Sequence, residues 1–163
     1  MKSIILEGPN ASGKSTLAEK LRVDFTLPYS HSGPNPGDTQ QALDACSQQL
    51  ERLRNGYIVD RVTPISRPIY DHDRIPELEL ILFNRRLEEM LEYAVIIYAC
   101  GDGVHEPKSY YPSGHLKKIT EEKQLIRDLY SEYMQGVDHI NFDWRKDSYE
   151  KLVEKINEKL CRI

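Results

Sequence analysis

Residues 3–16 read SIILEGPNASGKST, and their reading decides the fold. SIILE (3–7) is a short run of branched apolar side chains, the pattern of a strand buried on both faces. GPNASGKS (8–15) fits G-x-x-x-x-G-K-[ST], with Gly8, Gly13, Lys14 and Ser15 at the required spacing. From Lys14 to about Val23 the residues suit a helix. A strand, a glycine-rich loop and a helix N-terminus in that order form a phosphate cradle. The glycines let backbone N–H groups curl around anionic oxygens, and the helix adds its dipole. In such a loop Lys14 reaches the β- and γ-phosphates, and the Ser15 hydroxyl is placed to ligate Mg²⁺. The expected occupant is ATP with Mg²⁺, held by Gly8, Asn10, Ala11, Ser12, Gly13, Lys14, Ser15 and Thr16.

Working outward, apolar runs alternate with stretches of helical period. A second strand is expected at FTLPY (25–29), weakened by Pro28, followed by a Gly/Pro-rich loop at 30–38. Asp38, with Gln41 three residues on, starts a helix to about Arg54. YIVD (57–60) reads as the third strand. Pro76 opens a helix with Leu78, Ile81, Leu82, Leu87 and Leu91 near one face. AVIIYAC (94–100) is the fourth strand, and a helix carrying Leu116, Ile119, Leu125, Ile126, Leu129, Tyr133 and Met134 runs to about Gln135. HINFDW (139–144) is the fifth strand. Asp147 with Glu150 caps a last helix with a buried stripe of Leu152, Val153, Ile156 and Leu160. The pattern predicts one domain over 1–163, an α/β fold around a mostly parallel sheet. Ligands of such sheets sit at the carboxyl ends of the strands, where the loops after Glu7, Tyr29, Asp60 and Cys100 gather.

Composition narrows the class. At 39% hydrophobic and 29% charged, the 163 residues read as an ordinary globular chain. A net charge of −4 argues against a surface that coats nucleic acid. Three widely spaced cysteines, Cys46, Cys100 and Cys161, fit reduced thiols rather than a disulfide frame or zinc site. The longest apolar run is too short to span a bilayer, and residues 1–7 are too little for a signal peptide. A cytoplasmic protein is expected. No metal spacing links His31, His72 and His139, so Mg²⁺ carried by the nucleotide is the one metal anticipated.

A second motif, IVDR, ends the third strand. There Asp60 would face Mg²⁺ and the attacking oxygen, and Arg61 would stabilise charge on the transferred phosphoryl group. Lys14, Asp60 and Arg61 are the candidate catalytic residues. Residues 101–118 form a candidate lid closing over ATP, with His105, Lys108, His115, Lys117 and Lys118 as donors. Tyr29 and Tyr70 are aromatic candidates for stacking on a base.

With EGPNASGKST, the Asp-Arg pair and IRDLY in a late helix, the chain resembles the thymidylate kinase-like P-loop kinases, especially their short phage forms. The resemblance implies a five-stranded parallel sheet of order 2-3-1-4-5. It also implies phosphoryl transfer from Mg-ATP to a deoxynucleoside monophosphate, dTMP or a related pyrimidine nucleotide. By the same resemblance Glu7, Asn10, His31, Ser66, Arg67, Arg127 and Tyr130 become candidate acceptor contacts. A small-molecule nucleotide is then the partner, with no membrane association, and a homodimer is compatible with it.

Asn10 stands where that family carries an acidic residue bonding the acceptor's sugar hydroxyl, and TLPYSHSGP lacks its phosphate-gripping Arg. These departures motivate a second reading, a kinase of a hydroxyl on a nucleoside or on a modified (5-hydroxymethyl) pyrimidine in DNA. There a neutral amide would tolerate a 3′-phosphodiester, and His31 or Asp60 would be the base. Arg67 or Arg74 could supply the missing charge. A third reading, a non-kinase ATPase module, needs paired acidic residues and an LSGGQ-like signature that the sequence lacks.

Overall fold

In the computed structural model, residues 2–32, 37–101 and 113–163 are described, the side chains of the last segment from 121 onward. The order is β1 (Ser3–Glu7), α1 (Lys14–Phe25), β2 (Tyr29–His31), α2 (Thr39–Arg54), β3 (Ile58–Asp60), α3 (Thr63–Tyr70) and α4 (Glu77–Leu91). β4 (Ala94–Ala99), α5 (Ser113–Met134), β5 (Ile140–Phe142) and α6 (Tyr149–Arg162) follow. The sheet order is β2-β3-β1-β4-β5, and every pair is parallel, as the sequence led one to expect. Of the expected lid at 101–118, residues 102–112 lie outside the described residues, whereas 113–118 form the first turns of α5, and the side chains named as lid donors are not described.

Strand alternation builds two cores. Ile5 on β1, Val59 on β3 and Ile96 on β4 face one side and pack with residues of α2, α3, α4 and α5. Ile4, Leu6, Ile58, Val95 and Ile97 face the other and pack with α1 and α6. The result is a three-layer sandwich with β1 central and buried along its whole length. Among the described residues no helix is long and apolar enough to cross a membrane.

Four local expectations need correction. The apolar run at 25–29 is not β2: Phe25 completes α1, and Thr26 ends it in the left-handed region (φ 52°). Phe25 and Leu27 pack onto the α1/α6 core. β2 begins at Tyr29 and pairs with β3 alone, so as an edge strand it has no buried run to betray it. α4 is rotated from the expected stripe: Leu78 and Ile81 are exposed, while Glu79, Phe83, Leu87 and Met90 are buried. The rotation lets Glu79 meet the buried Arg67, with Arg67 Nε donating to Glu79 Oε2 at 3.2 Å. α6 is capped by Ser148, whose Oγ accepts from Lys151 N, because Asp147 Oδ2 instead accepts from Asp143 N at 2.7 Å. β5 stops at Phe142, which leaves Trp144 in the turn after the strand.

α3 was not anticipated, since TPISRPIY carries two prolines. Pro64 sits in the first turn, where its missing N–H is harmless. Pro68 removes the bond that the Pro64 carbonyl would have accepted. That oxygen is bonded instead by the Tyr133 hydroxyl of α5 at 3.1 Å. A helix made possible by a partner from another element is invisible to local sequence pattern.

Candidate active site

The loop between β1 and α1 is shaped by two glycines. At Gly8 (φ 144°) a Cβ would lie 2.5 Å from the Ala99 carbonyl oxygen of β4. Gly13 (φ 84°) turns the chain into α1, whose first-turn N–H groups receive no side-chain cap. Ala11 also lies in the left-handed region (φ 61°), a strained backbone of the kind that accumulates at ligand clamps. Lys14 is buried and donates from Nζ to the Pro9 carbonyl at 3.0 Å, across the mouth of its own loop. Burial, and then the Arg61 charge, lower its ammonium to about 8 against the opposing pull of Asp60 and Glu7. A cation in so dry a setting attracts phosphate more strongly than one in water. The Ser15 and Thr16 side chains are exposed on the first turn of α1, while Ser12 Oγ is buried without a hydrogen-bond partner among the described residues.

The parallel register sets His31 of β2 opposite Asp60 of β3 at the carboxyl edge of the sheet. Asp60 Oδ2 accepts from the Tyr29 hydroxyl at 2.8 Å and lies 3.3 Å from His31 Nδ1. Asp60 is buried, and its Oδ1 has no hydrogen-bond partner among the described residues. A buried carboxylate oxygen with no partner is costly, and a divalent cation or a water bound to it is a chemically fitting one. With the Ser15 hydroxyl, the residues present therefore suit Mg²⁺ brought by a nucleotide.

Arg61 takes a left-handed backbone (φ 65°), fixed by its N–H bonding the Leu6 carbonyl at 2.8 Å and its own carbonyl accepting from Ser32 Oγ at 2.6 Å. Its guanidinium lies 5.2 Å from the Tyr70 ring centroid and donates from Nη2 to Asn10 Oδ1 at 2.5 Å. The Asp-Arg motif is thus tied directly to the phosphate loop.

Glu7 and Tyr130, expected at the acceptor, are fully buried and bonded to each other: the Tyr130 hydroxyl donates to Glu7 Oε2 at 3.2 Å. Glu7 Oε1 accepts from Val62 N at 2.6 Å. Burial raises the Glu7 carboxyl to about 7, although the Val62 N–H, Lys14 and Arg61 oppose the rise. Both residues tie β1, the start of α3 and α5 together beneath the site. Ser66 and Arg67 are also buried in α3, with Arg67 engaged by Glu79. Arg127 instead lines a cavity of about 540 Å³, which opens between the loop (Pro9, Asn10), the end of α3 and the turn after it (Tyr70, Arg74) and α5 (Lys123, Arg127). That volume is in the range of small-molecule clefts, about 300–1,000 Å³.

Trp144 escaped the sequence reading, as did the cavity cation Lys123. A Cβ on Gly13 would lie 2.8 Å from Trp144 Cδ1, and one on Gly101 2.6 Å, so the half-exposed indole lies flush against both. Its turn is held by Asp143, whose carboxylate accepts from the Arg145 N–H at 3.0 Å and from the guanidinium at 3.2 Å. The available signal was that Trp144 is the one tryptophan in the chain.

No family model matches the chain, and no curated protein matches it in sequence. Solved structures do. The YorR protein of Bacillus subtilis, in complex with phosphorylated GDP, is 19% identical with a TM-score of 0.69, over 96% of this chain and 94% of that one. Deoxyadenosine kinase from M. mycoides with bound dATP is 21% identical with a TM-score of 0.59, over 96% and 100%. A gluconokinase from Sinorhizobium meliloti is 16% identical with a TM-score of 0.53, over 99% and 92%. At these identities the likeness is one of architecture: the chain has a five-stranded parallel α/β fold that matches these neighbours, the two named kinases among them.

Proposed function

We propose that the chain is an ATP-dependent nucleotide kinase of the thymidylate kinase-like type, acting on a deoxynucleoside monophosphate, dTMP or a related pyrimidine nucleotide. The observation that carries this reading is the gathering of Lys14, Asp60 and Arg61 around one glycine-rich loop, whose Pro9 and Asn10 line a cavity of about 540 Å³. The named kinases among the structural neighbours support it.

The acceptor oxygen attacks the γ-phosphorus, the bond to the β–γ bridging oxygen breaks, and ADP leaves. Positioning and charge neutralisation do most of this work. Lys14 and Arg61 balance the charge on the transferred group. Bound Mg²⁺, with Ser15 and Asp60 as its candidate ligands, would neutralise charge on the β- and γ-oxygens. A phosphate acceptor is mostly dianionic at neutral pH, since its second pKa is about 6, so no general base is required. Trp144, beside Gly13, is the candidate platform for the ATP base. The cavity cations Arg74, Lys123 and Arg127 favour an anionic acceptor.

A hydroxyl acceptor, on a nucleoside or in DNA, is the second reading. It is motivated by the neutral Asn10 and by the His31–Asp60 contact, which offers a base. Incubation with γ-labelled ATP and, separately, each deoxynucleoside, each monophosphate and hydroxymethylated DNA separates the two. Label confined to a monophosphate supports the proposal, whereas label on a nucleoside or on DNA overturns it. Hydrolysis without any labelled acceptor would favour a plain ATPase.

A further inference from the structure

The Asn10 amide has its orientation chosen for it. A guanidinium donates hydrogen bonds and accepts none, so the 2.5 Å contact with Arg61 Nη2 requires the oxygen of Asn10 on that side. The assignment does not depend on telling nitrogen from oxygen by shape. What Asn10 keeps for another partner is therefore its –NH₂ group, for which no hydrogen bond is found among the described residues.

The clamp holding this orientation is stiff. Arg61 is fixed through its backbone to Leu6 and Ser32, and its guanidinium is seated over Tyr70. Tyr70 meets Tyr130 edge-on at 6.2 Å, and Tyr130 is bonded to buried Glu7. Asn10 lines the 540 Å³ cavity. The cations lining that cavity, Arg74, Lys123 and Arg127, outnumber its acids, Asp73 and Glu122.

We propose that Asn10 is a specificity-determining residue that donates from Nδ2 to a phosphate oxygen of a free nucleotide seated in this cavity. A carboxylate at position 10 would also pair with Arg61, yet it would offer the cavity a negative acceptor that repels phosphate. The amide offers a neutral donor in the same place. The net charge of −4 makes a free nucleotide the better occupant than a nucleic acid backbone. This inference rests on the kinase reading for its setting, but it concerns acceptor binding and can be tested without turnover.

The test is calorimetric titration of the protein, saturated with a non-hydrolysable ATP analogue, with the four deoxynucleoside 5′-monophosphates, the matching nucleosides and a dinucleoside phosphodiester. The wild type binds at least one monophosphate about tenfold or more tighter than its nucleoside. Asn10→Asp, which loses the donor and adds a like charge, weakens that monophosphate by about a hundredfold or more, beyond the loss of a hydrogen bond to a charged group alone, and leaves the nucleoside unchanged. Asn10→Ala, which loses the donor without adding charge, falls between. Four results overturn the proposal: no monophosphate binds or none is preferred, Asn10→Asp keeps the preference, the ATP analogue is weakened in parallel, or the phosphodiester binds more tightly. An Asn10-dependent preference without label transfer would sink the kinase reading and leave this one standing. Transfer without the preference would do the reverse.

Discussion

Glu7 gives a prediction that can be worked from the structure. Its carboxyl is wholly buried, with Oε1 accepting from Val62 N and Oε2 from the Tyr130 hydroxyl. Burial raises it from 4.5 to about 7. The folded state therefore holds this proton more tightly than the unfolded chain. The associated stability is fully present below pH 4.5 and is lost as pH rises through about 7. At about 1.4 kcal/mol per pH unit, the loss comes to roughly 3 kcal/mol by pH 8. Glu7→Gln mimics the protonated acid: its oxygen still accepts from Val62, and its amide donates to the Tyr130 oxygen. Urea unfolding at pH 5 and at pH 8 reads the difference. Near pH 5 the variant should match the wild type to within about 1 kcal/mol, and at pH 8 it should be more stable by up to about 3 kcal/mol. A difference that is the same at both pH values, or a variant less stable at pH 8, would refute the burial argument.

Lys14→Ala should fold normally, since it removes a partly desolvated charge, but should lose the nucleotide response. The wild type gains about 2.7 kcal/mol at a hundred times the dissociation constant of Mg-ATP, seen as a rise in Tm, and an equal rise in the variant would remove the phosphate-loop reading. Trp144 fluorescence should change on adding ATP, and Trp144→Ala should weaken ATP by about 1–3 kcal/mol, the usual worth of an aromatic platform under a base. Unaltered emission at saturating ATP would place the base elsewhere. Glu79→Ala removes the buried carboxylate that faces the Arg67 guanidinium and should cost about 3–5 kcal/mol in urea unfolding, whereas Arg67→Met with Glu79→Leu should recover most of it. A cost below about 1 kcal/mol for the single variant would show the pair to be more hydrated than its burial implies.

The candidate donor side of the site was readable in the sequence because its pattern is local. Gly8, Gly13, Lys14 and Ser15 lie within eight consecutive residues, and the backbone that curls around phosphate is made by those residues themselves. The Asp60–Arg61 pair was legible too, as it marks the end of a buried strand. The acceptor side was less so. Arg67 looks like a free cation in VTPISRPIY, and only the rotation of α4 brings Glu79 to it. Trp144 reads as the last residue of a strand until the turn built on Asp143 and Asp147 lays it on Gly13.

By itself, then, the sequence determined most of the alternation of strands and helices and the glycine-rich loop after β1, because hydrophobic period and glycine spacing are short-range properties; the central place of β1 followed only from the family resemblance. The tertiary structure alone decided which partner each polar side chain met. Glu7 found Val62 and Tyr130, Pro64 found Tyr133, and Asn10 found Arg61 across 51 positions of chain. Such pairings depend on which strand ends lie side by side in a parallel sheet, and no local pattern encodes that adjacency. Asn10 shows the consequence most plainly: its identity is written in the loop, but the face it offers to a ligand is set by a guanidinium at the end of β3.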